Sequence, residues 1–186
     1  HREFKKLNVV SYFDPGAWEP RSLLYLDVIF SAVFRSTKKG CSVFLHSTAF
    51  PYINELTAYR EQDTYYLTSN GNYLSSSDIN SDLQQLNNIQ EGSISTGLGI
   101  ASYMGFKEIY LLGSDYLTDP PVYGHFYDGF HEVGSPSDYE SYRQRASWMI
   151  EHVEKNGCKV INVIKDEKQT SSIDSITFKE LKDYLG

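Results

Sequence analysis

The block from Ser93 to Asp115 constrains the fold more than any other stretch of the chain. It reads as a helix of small residues over Ser93–Met104, then a short apolar strand over Lys107–Leu112 that ends in Gly113-Ser-Asp115. In an open α/β sheet, ligands bind beyond the carboxyl ends of the strands. Backbone N–H groups at the start of the helix and ionisable side chains after the strand are therefore predicted to converge at one edge. That arrangement favours a nucleotide site and an enzyme.

The rest of the sequence repeats this alternation of strands and helices. Short apolar runs predict strands, and segments with apolar residues at helical spacing predict helices. The alternation predicts an α/β fold, a single Rossmann-like domain over 1–186 with an open, mostly parallel sheet and helices on both faces. The predicted strands are Leu7–Phe13, Cys41–His46, Asp63–Thr68, Lys107–Leu112 and Cys158–Ile164, and the predicted helices are Ser22–Arg35, Pro51–Arg60, Ser93–Met104, Ser137–Lys155 and Thr177–Leu185.

Local signals refine the ends of these elements. The last two helices each carry a Ser/Thr-x-x-Glu capping box, formed by Ser137 with Glu140 and by Thr177 with Glu180. The polar stretch Ser69–Ile89 predicts a loop with a weak helix around 81–86. The connection from Gly113 to Pro136 contains Gly and Pro without periodicity. Structureless connections of that length are uncommon unless they are functional or disordered, so it predicts a lid-like loop after a central strand.

Composition argues against several classes of protein. The formal net charge of −7 argues against a broad nucleic-acid surface, which needs clustered Lys and Arg. Cys41 and Cys158 each begin an apolar run and form neither a metal signature nor a disulfide framework, so no metal site is predicted. No apolar run approaches the ~20 residues of a membrane span, and no signal peptide is visible. We expect a cytoplasmic protein; peripheral association with the inner face of a membrane and homo-oligomer formation stay open.

The start of the Ser93–Met104 helix is the first candidate binding element. Gly92, Ser93 and Ser95 would place free N–H groups and hydroxyls against a phosphate or a ribose, at the positive end of the helix. Ser95 and Thr96 are weaker candidates than Gly92 and Ser93. The alternative is an ordinary Ser-capped helix, in which Gly97 and Gly99 permit close packing.

The residues after the Lys107–Leu112 strand are the second candidate element. Gly113 and Asp115 follow its carboxyl end, where an acid accepts a ribose or acceptor hydroxyl or binds a magnesium ion; the alternative for Asp115 is to cap the turn. His125 is the best candidate for a general base, because an imidazole that titrates near neutrality suits deprotonation of an attacking hydroxyl. Arg143 and Arg145 would reach an anionic ligand or form exposed ion pairs, and His152 reads as a surface residue.

The central block resembles one group of bacterial glycosyltransferases. It is similar to the lipooligosaccharide sialyltransferases of glycosyltransferase family 42 and to the related motility-accessory-factor-type glycosyltransferases. The shared pattern is a Gly/Ser-rich helix start, then Ala-x-x-Met-Gly-Phe-Lys-Glu-Ile-Tyr-Leu-x-Gly-x-Asp, then aromatic and His residues. It stands here as Gly92-Ser-Ile94, Ala101 to Leu111, Gly113 with Asp115, and Tyr123–Tyr127. The resemblance covers the C-terminal half of the chain well. In the N-terminal half it extends only to the alternation of predicted strands and helices.

The resemblance implies transfer of a sugar, of a sialic-acid-like type, from a nucleotide sugar to a surface glycan or glycoconjugate. Tyr123 and Tyr127 would donate hydroxyls to the departing nucleotide phosphate in place of a metal, and no cofactor is implied. His131 competes with His125 as the base, because the catalytic His of the resembling sialyltransferases lies just before the next helix. Preorganised donors of this kind stabilise developing charge.

One departure from the family pattern bears on the function. The family opens with a strand and a Gly-x-Gly-Pro-Ser-type turn that helps to hold the nucleotide, and no such turn precedes Leu7. We interpret the chain as lacking that first strand and turn; the alternative is a non-catalytic binding domain that has lost nucleotide binding. A second alternative is a diphosphokinase related to 6-hydroxymethylpterin diphosphokinases, with ATP, Mg²⁺ and Asp115 as a metal ligand.

Overall fold

The structure is a computed structural model, and it describes residues 42–47, 50, 63–68, 73–85, 87–89, 92–119, 136–165 and 167–185. The predicted strand Leu7–Phe13 and the predicted helices Ser22–Arg35 and Pro51–Arg60 lie outside these residues. Within them the elements, in chain order, are β1 Ser42–His46, β2 Asp63–Leu67, α1 Ser93–Tyr103, β3 Glu108–Leu112, β4 Thr118–Asp119, α2 Pro136–Lys155, β5 Lys159–Ile164, β6 Thr170–Ser171, β7 Ser175–Thr177 and α3 Phe178–Leu185.

Parallel pairing dominates the described strands. β5 lies in the centre of a three-stranded parallel sheet in the order β3-β5-β7. Leu112 is in register with Val163, and Ile164 is in register with Thr177. β1 and β2 form a second parallel pair, while β4 and β6 form a short antiparallel pair. The described elements therefore form a mixed α/β structure with parallel sheets, which confirms the predicted class at that level.

One apolar core joins these elements. It contains side chains of β1, β2, α1, α2 and β5, among them Phe44, Leu67, Leu98, Met149 and Val160. α1 packs against α2, α2 packs on β5, and α3 packs on β7 and β5. None of the described helices is both long enough and apolar enough to cross a membrane.

Two glycines on α1 differ in what surrounds them. A Cβ atom on Gly99 would lie 2.9 Å from Cδ1 of Ile89, whose side chain is completely buried. A Cβ atom on Gly97 would meet nothing within 4 Å. The absence of a side chain at Gly99 therefore lets α1 pack closely against Ile89, which lies in the loop before the helix.

Most predicted bounds in the described regions agree with the structure to within one residue. The capping box of α3 is confirmed: the Glu180 carboxylate accepts from Thr177 N at 2.6 Å, and Glu180 N donates to Thr177 Oγ1 at 3.2 Å. α2 begins at Pro136, one residue before the predicted Ser137, and the residue before it lies outside the described residues.

Two predictions on the polar segments need correction. The weak helix expected around 81–86 is wrong for the described residues 81–85, which form a turn instead. Asp82 Oδ1 accepts from Gln84 N at 2.9 Å, and such local side-chain bonds compete with helix formation. A short helical turn occurs earlier, at Ser76–Asp78. β6 and β7 were not predicted, because two or three residues carry no readable periodicity.

Candidate functional site

The turn after β3 is the best defined part of the predicted site. Gly113 follows the strand with φ 77°, a left-handed conformation that favours glycine. Ser114 is buried, and its carbonyl accepts from Leu117 N at 2.9 Å. This bond closes the helical turn Asp115–Leu117. The structure thus sets the backbone of Asp115 at the carboxyl edge of the β3-β5-β7 sheet, while its side chain lies outside the described residues.

The start of α1 is the other described part of the predicted site. The helix begins after Gly92, whose φ of 122° again favours glycine and which has no side chain to cap the first turn. Ser93 is exposed at this end. In the first turn of α1, Ser95 Oγ lies 2.9 Å from the Tyr73 hydroxyl, and Tyr73 is near enough to Tyr116 to contribute to the raised pKa of that residue. The first turn of α1 and the helical turn after β3 therefore share Tyr73 as a neighbour.

Ser95 and Thr96 lie differently from Ser93. Ser95 is 2% exposed, and its Oγ lies 2.9 Å from the hydroxyl of the completely buried Tyr73. That hydroxyl also donates to the backbone carbonyl of Arg145 on α2 at 3.0 Å. The buried Thr96 hydroxyl donates to the carbonyl of Gly92 at 3.0 Å. Both side chains therefore hydrogen-bond inside the protein, whereas Ser93 is exposed.

Tyr116 is a neighbour of the predicted site that sequence reasoning missed. It directly follows Asp115 and packs against the core. Burial, with a smaller contribution from the nearby Tyr73, raises the pKa of the Tyr116 hydroxyl far above its ordinary value. The raised pKa means that the Tyr116 hydroxyl stays protonated at alkaline pH, well beyond the range in which an exposed tyrosine ionises. Its position directly after the Gly-x-Asp pattern was the only available sequence signal.

A serine-rich loop fixes the far end of the turn. The Leu117 carbonyl accepts from Ser172 N at 2.9 Å, from Ser172 Oγ at 3.0 Å and from Ser171 Oγ at 3.2 Å. Thr170 Oγ1 donates to the Asp119 carbonyl at 2.7 Å, beside the β4–β6 pairing. The backbone after Asp115 is therefore tied to residues 170–172. No spacing in the sequence indicates this contact.

The arginines of α2 have partners within the chain. Arg143 forms an ion pair with Asp119, at the end of β4. Of the two alternatives for Arg143, the ion pair is the one that the structure contains. It ties α2 to the last described residue before residues 120–135.

His152 is more than a surface residue. It is half-buried, and its Nε2 lies 3.0 Å from Ser81 Oγ and 3.1 Å from Asn156 Nδ2. Burial lowers the pKa of the ring below its ordinary value, and Lys155 adds to that effect, while a hydrogen bond to the Ser76 backbone opposes it. The neutral ring therefore joins α2 to the loop before α1, which corrects its interpretation from sequence.

Four predicted catalytic residues, Tyr123, His125, Tyr127 and His131, lie outside the described residues. Their roles stay predictions, as does the role of the Asp115 carboxylate. Among the described residues, no group of three or more His, Cys, Asp or Glu side chains is arranged to hold a metal ion.

Comparison with known proteins adds no family to this picture. No protein-family model, no curated protein and no solved structure matches the chain. Function is therefore argued from the geometry of the site and from the resemblance of its central block.

Proposed function

We propose that the chain is a glycosyltransferase that moves a sugar, of a sialic-acid-like type, from a nucleotide donor to a surface glycan or glycoconjugate. One observation supports the proposal: the first turn of α1, where Ser93 is exposed, and the helical turn after Gly113 share Tyr73 as a neighbour. Both elements belong to the block that resembles the family 42 enzymes. A Rossmann-like sheet is part of the proposal, because its carboxyl edge is where such folds bind nucleotides.

The first turn of α1 supplies the binding of the nucleotide phosphate. The first N–H groups of an α-helix have no partner within the helix, and the helix dipole adds partial positive charge there. Gly92 contributes no side chain that would block the approach. A phosphate at this end of α1 would therefore gain backbone donors, and Ser93 would add a hydroxyl.

The chemistry falls to residues of the connection after β3. His125 or His131 removes the proton from the acceptor hydroxyl as it attacks the anomeric carbon. Tyr123 and Tyr127 donate hydrogen bonds to the phosphate oxygen that leaves with the nucleotide. Asp115 and Gly113 orient the donor or acceptor at the edge of the sheet. Closure of a lid over the site would favour transfer over hydrolysis by excluding water.

Thermal unfolding with a panel of nucleotides tests the proposal. CMP, CDP, UDP, GDP and ATP are each added with Mg²⁺ and with a chelator, and a ligand at 100 times its Kd stabilises by about 2.7 kcal/mol. We expect a cytidine nucleotide to stabilise the protein with or without Mg²⁺. Stabilisation by ATP only with Mg²⁺ would instead favour the diphosphokinase. The absence of a response to any nucleotide would favour the non-catalytic binding domain.

Charge reversal at Ser93 locates the nucleotide. Ser93→Glu places a negative charge in the first turn of α1, which stabilises the helix but repels a phosphate. We expect the cytidine response to disappear while the unliganded protein unfolds at the same or a higher temperature. Ser77→Glu, an equal change at an exposed serine before α1, is the control and should retain the response. An unchanged response in Ser93→Glu would place the nucleotide elsewhere.

A further inference from the structure

A pocket apart from the candidate site lies at the carboxyl edge of β5 and β7. It has a volume of about 360 Å³ and is lined by Lys165, Glu167, Lys168, Thr177 and Lys179. Small-molecule sites have volumes of about 300–1,000 Å³. The pocket therefore has room for a small ligand or for one part of a larger one.

The topology of the sheet explains why these residues meet. Lys165 directly follows β5, and Thr177 is the last residue of β7. The two strands are parallel, with Ile164 in register with Thr177, so both end at one level. Lys168 follows in a turn that places it beside Lys165. In that turn, Lys165 N donates a hydrogen bond to Gln169 Oε1 at 3.1 Å. Lys179 comes from the first turn of α3.

The charge of the pocket contrasts with that of the chain. Among the described residues that line it, three are lysines and one is a glutamate, whereas the formal net charge of the whole chain is −7. All four of these charged side chains are exposed, and the ammonium groups lie where a solvated anion can reach them. The N-terminus of α3 contributes little, because the Glu180 carboxylate already accepts from Thr177 N at 2.6 Å. The lysine side chains therefore carry the positive character.

We propose that this pocket is a binding site for a phosphorylated small molecule. Phosphate carries about two negative charges and several acceptor oxygens, and the ammonium group of lysine suits it as a point charge. The pocket lies at the edge of the sheet where α/β folds bind ligands. The site differs from the start of α1 and from the Gly113–Asp115 turn, and it does not depend on the transferase proposal.

The position of the pocket also sets its relation to the first site. β3 and β7 flank β5, and neighbouring strands lie about 4.8 Å apart. The ends of β3 and β7 are therefore separated by about 10 Å in the plane of the sheet, which is two strand spacings. One ligand with two phosphoryl groups, or two separate ligands, would fit that separation.

Charge-reversal variants of the full chain test this site. Binding of inorganic phosphate, pyrophosphate and CMP is measured by calorimetry at low salt, and circular dichroism checks the fold of each variant. Each exposed lysine is expected to contribute about two- to fivefold to affinity. Loss of both lysines should therefore weaken pyrophosphate binding by about 4- to 25-fold, and Lys165→Glu/Lys168→Glu should weaken it further, since reversal adds repulsion. Glu167→Gln should tighten binding about two- to threefold by removing a negative charge from the lining.

Lys107→Glu is the matched control. Lys107 is also exposed, but it precedes β3 and so lies at the opposite edge of the same sheet. Pyrophosphate affinity should be unchanged in this variant. Equal weakening by Lys107→Glu, unchanged binding in Lys165→Glu/Lys168→Glu, or failure of the native chain to bind either inorganic anion at millimolar concentration would each overturn the proposal. Loss of CMP binding in Ser93→Glu alone, with pyrophosphate binding retained, would separate the two sites.

Discussion

Gly97 and Gly99 offer a matched pair of substitutions on one helix. Alanine is about 1 kcal/mol better than glycine in a helix interior. At Gly97 a new Cβ atom meets nothing within 4 Å, so Gly97→Ala should raise the free energy of unfolding by about 0.5–1 kcal/mol. At Gly99 the same atom would lie 2.9 Å from Cδ1, 3.0 Å from Cγ2 and 3.1 Å from Cβ of Ile89.

The crowding at Gly99 should outweigh the gain in helix propensity. Ile89 is completely buried, and overpacking a core costs about 1–3 kcal/mol. Gly99→Ala should therefore be net destabilising by about 1 kcal/mol, the difference between the overpacking cost and the propensity gain. The two alanine variants should then differ by about 1–3 kcal/mol. Urea denaturation followed by circular dichroism measures this difference, provided that the m-values agree.

Truncating the neighbour supplies the internal check. Ile89→Val removes Cδ1, the nearest atom to the new methyl group, so Gly99→Ala should be less harmful in that background. We expect a coupling of at least about 0.5 kcal/mol in favour of the double variant. The packing argument fails if Gly99→Ala stabilises as much as Gly97→Ala, or if the coupling is zero.

Three further perturbations follow from the described contacts. Tyr73→Phe should cost about 1–3 kcal/mol, because it removes the hydroxyl that bonds the buried Ser95 Oγ and the Arg145 carbonyl. Urea denaturation should detect no change for Tyr103→Phe, at an exposed ring. The pKa of His152 is lowered in the folded protein, so the unfolded chain binds a proton at this residue more tightly. The contribution of His152 to the free energy of unfolding should therefore be constant above about pH 6.5 and should fall as the pH drops below that value. A His152→Asn variant should lack this part of the pH dependence of the urea midpoint, and an identical profile would refute it. Thr177→Ala should lower the melting temperature by removing about 1 kcal/mol of capping, whereas Thr177→Ser should have little effect.

The sequence predicted the elements with a clear local signal. β3 and α1 follow from an apolar run and a small-residue helix separated by Gly105, and α3 follows from its capping box. β7 could not be predicted, because three residues lack a period and its pairing with β5 is a tertiary contact. The weak helix predicted at 81–85 from local propensity is wrong, because the Asp82 side chain accepts a hydrogen bond from the backbone of Gln84 in a turn.

The candidate site was predictable in outline. The rule that ligands bind at the carboxyl ends of parallel strands directed attention to Gly92 and Gly113, and the binding role of both residues stays a prediction. It could not separate Ser93 from Ser95, because the burial of Ser95 depends on Tyr73, which is 22 residues earlier in the chain. The tie between Leu117 and residues 171–172 is equally non-local. The catalytic roles of His125 and His131 stay predictions.

The serine contacts of Leu117 have a consequence for the order in which the protein is made. Its carbonyl accepts hydrogen bonds from the hydroxyls of Ser171 and Ser172, which follow Leu117 by 54 and 55 residues. At translation rates of about 5–20 residues per second, roughly 3–11 s pass on the ribosome before these donors are synthesised. Over that interval the turn after β3 lacks the partners that fix its far end. A nascent chain therefore carries an unfinished turn after β3 for seconds, and a pause in translation between β3 and β6 would lengthen that interval.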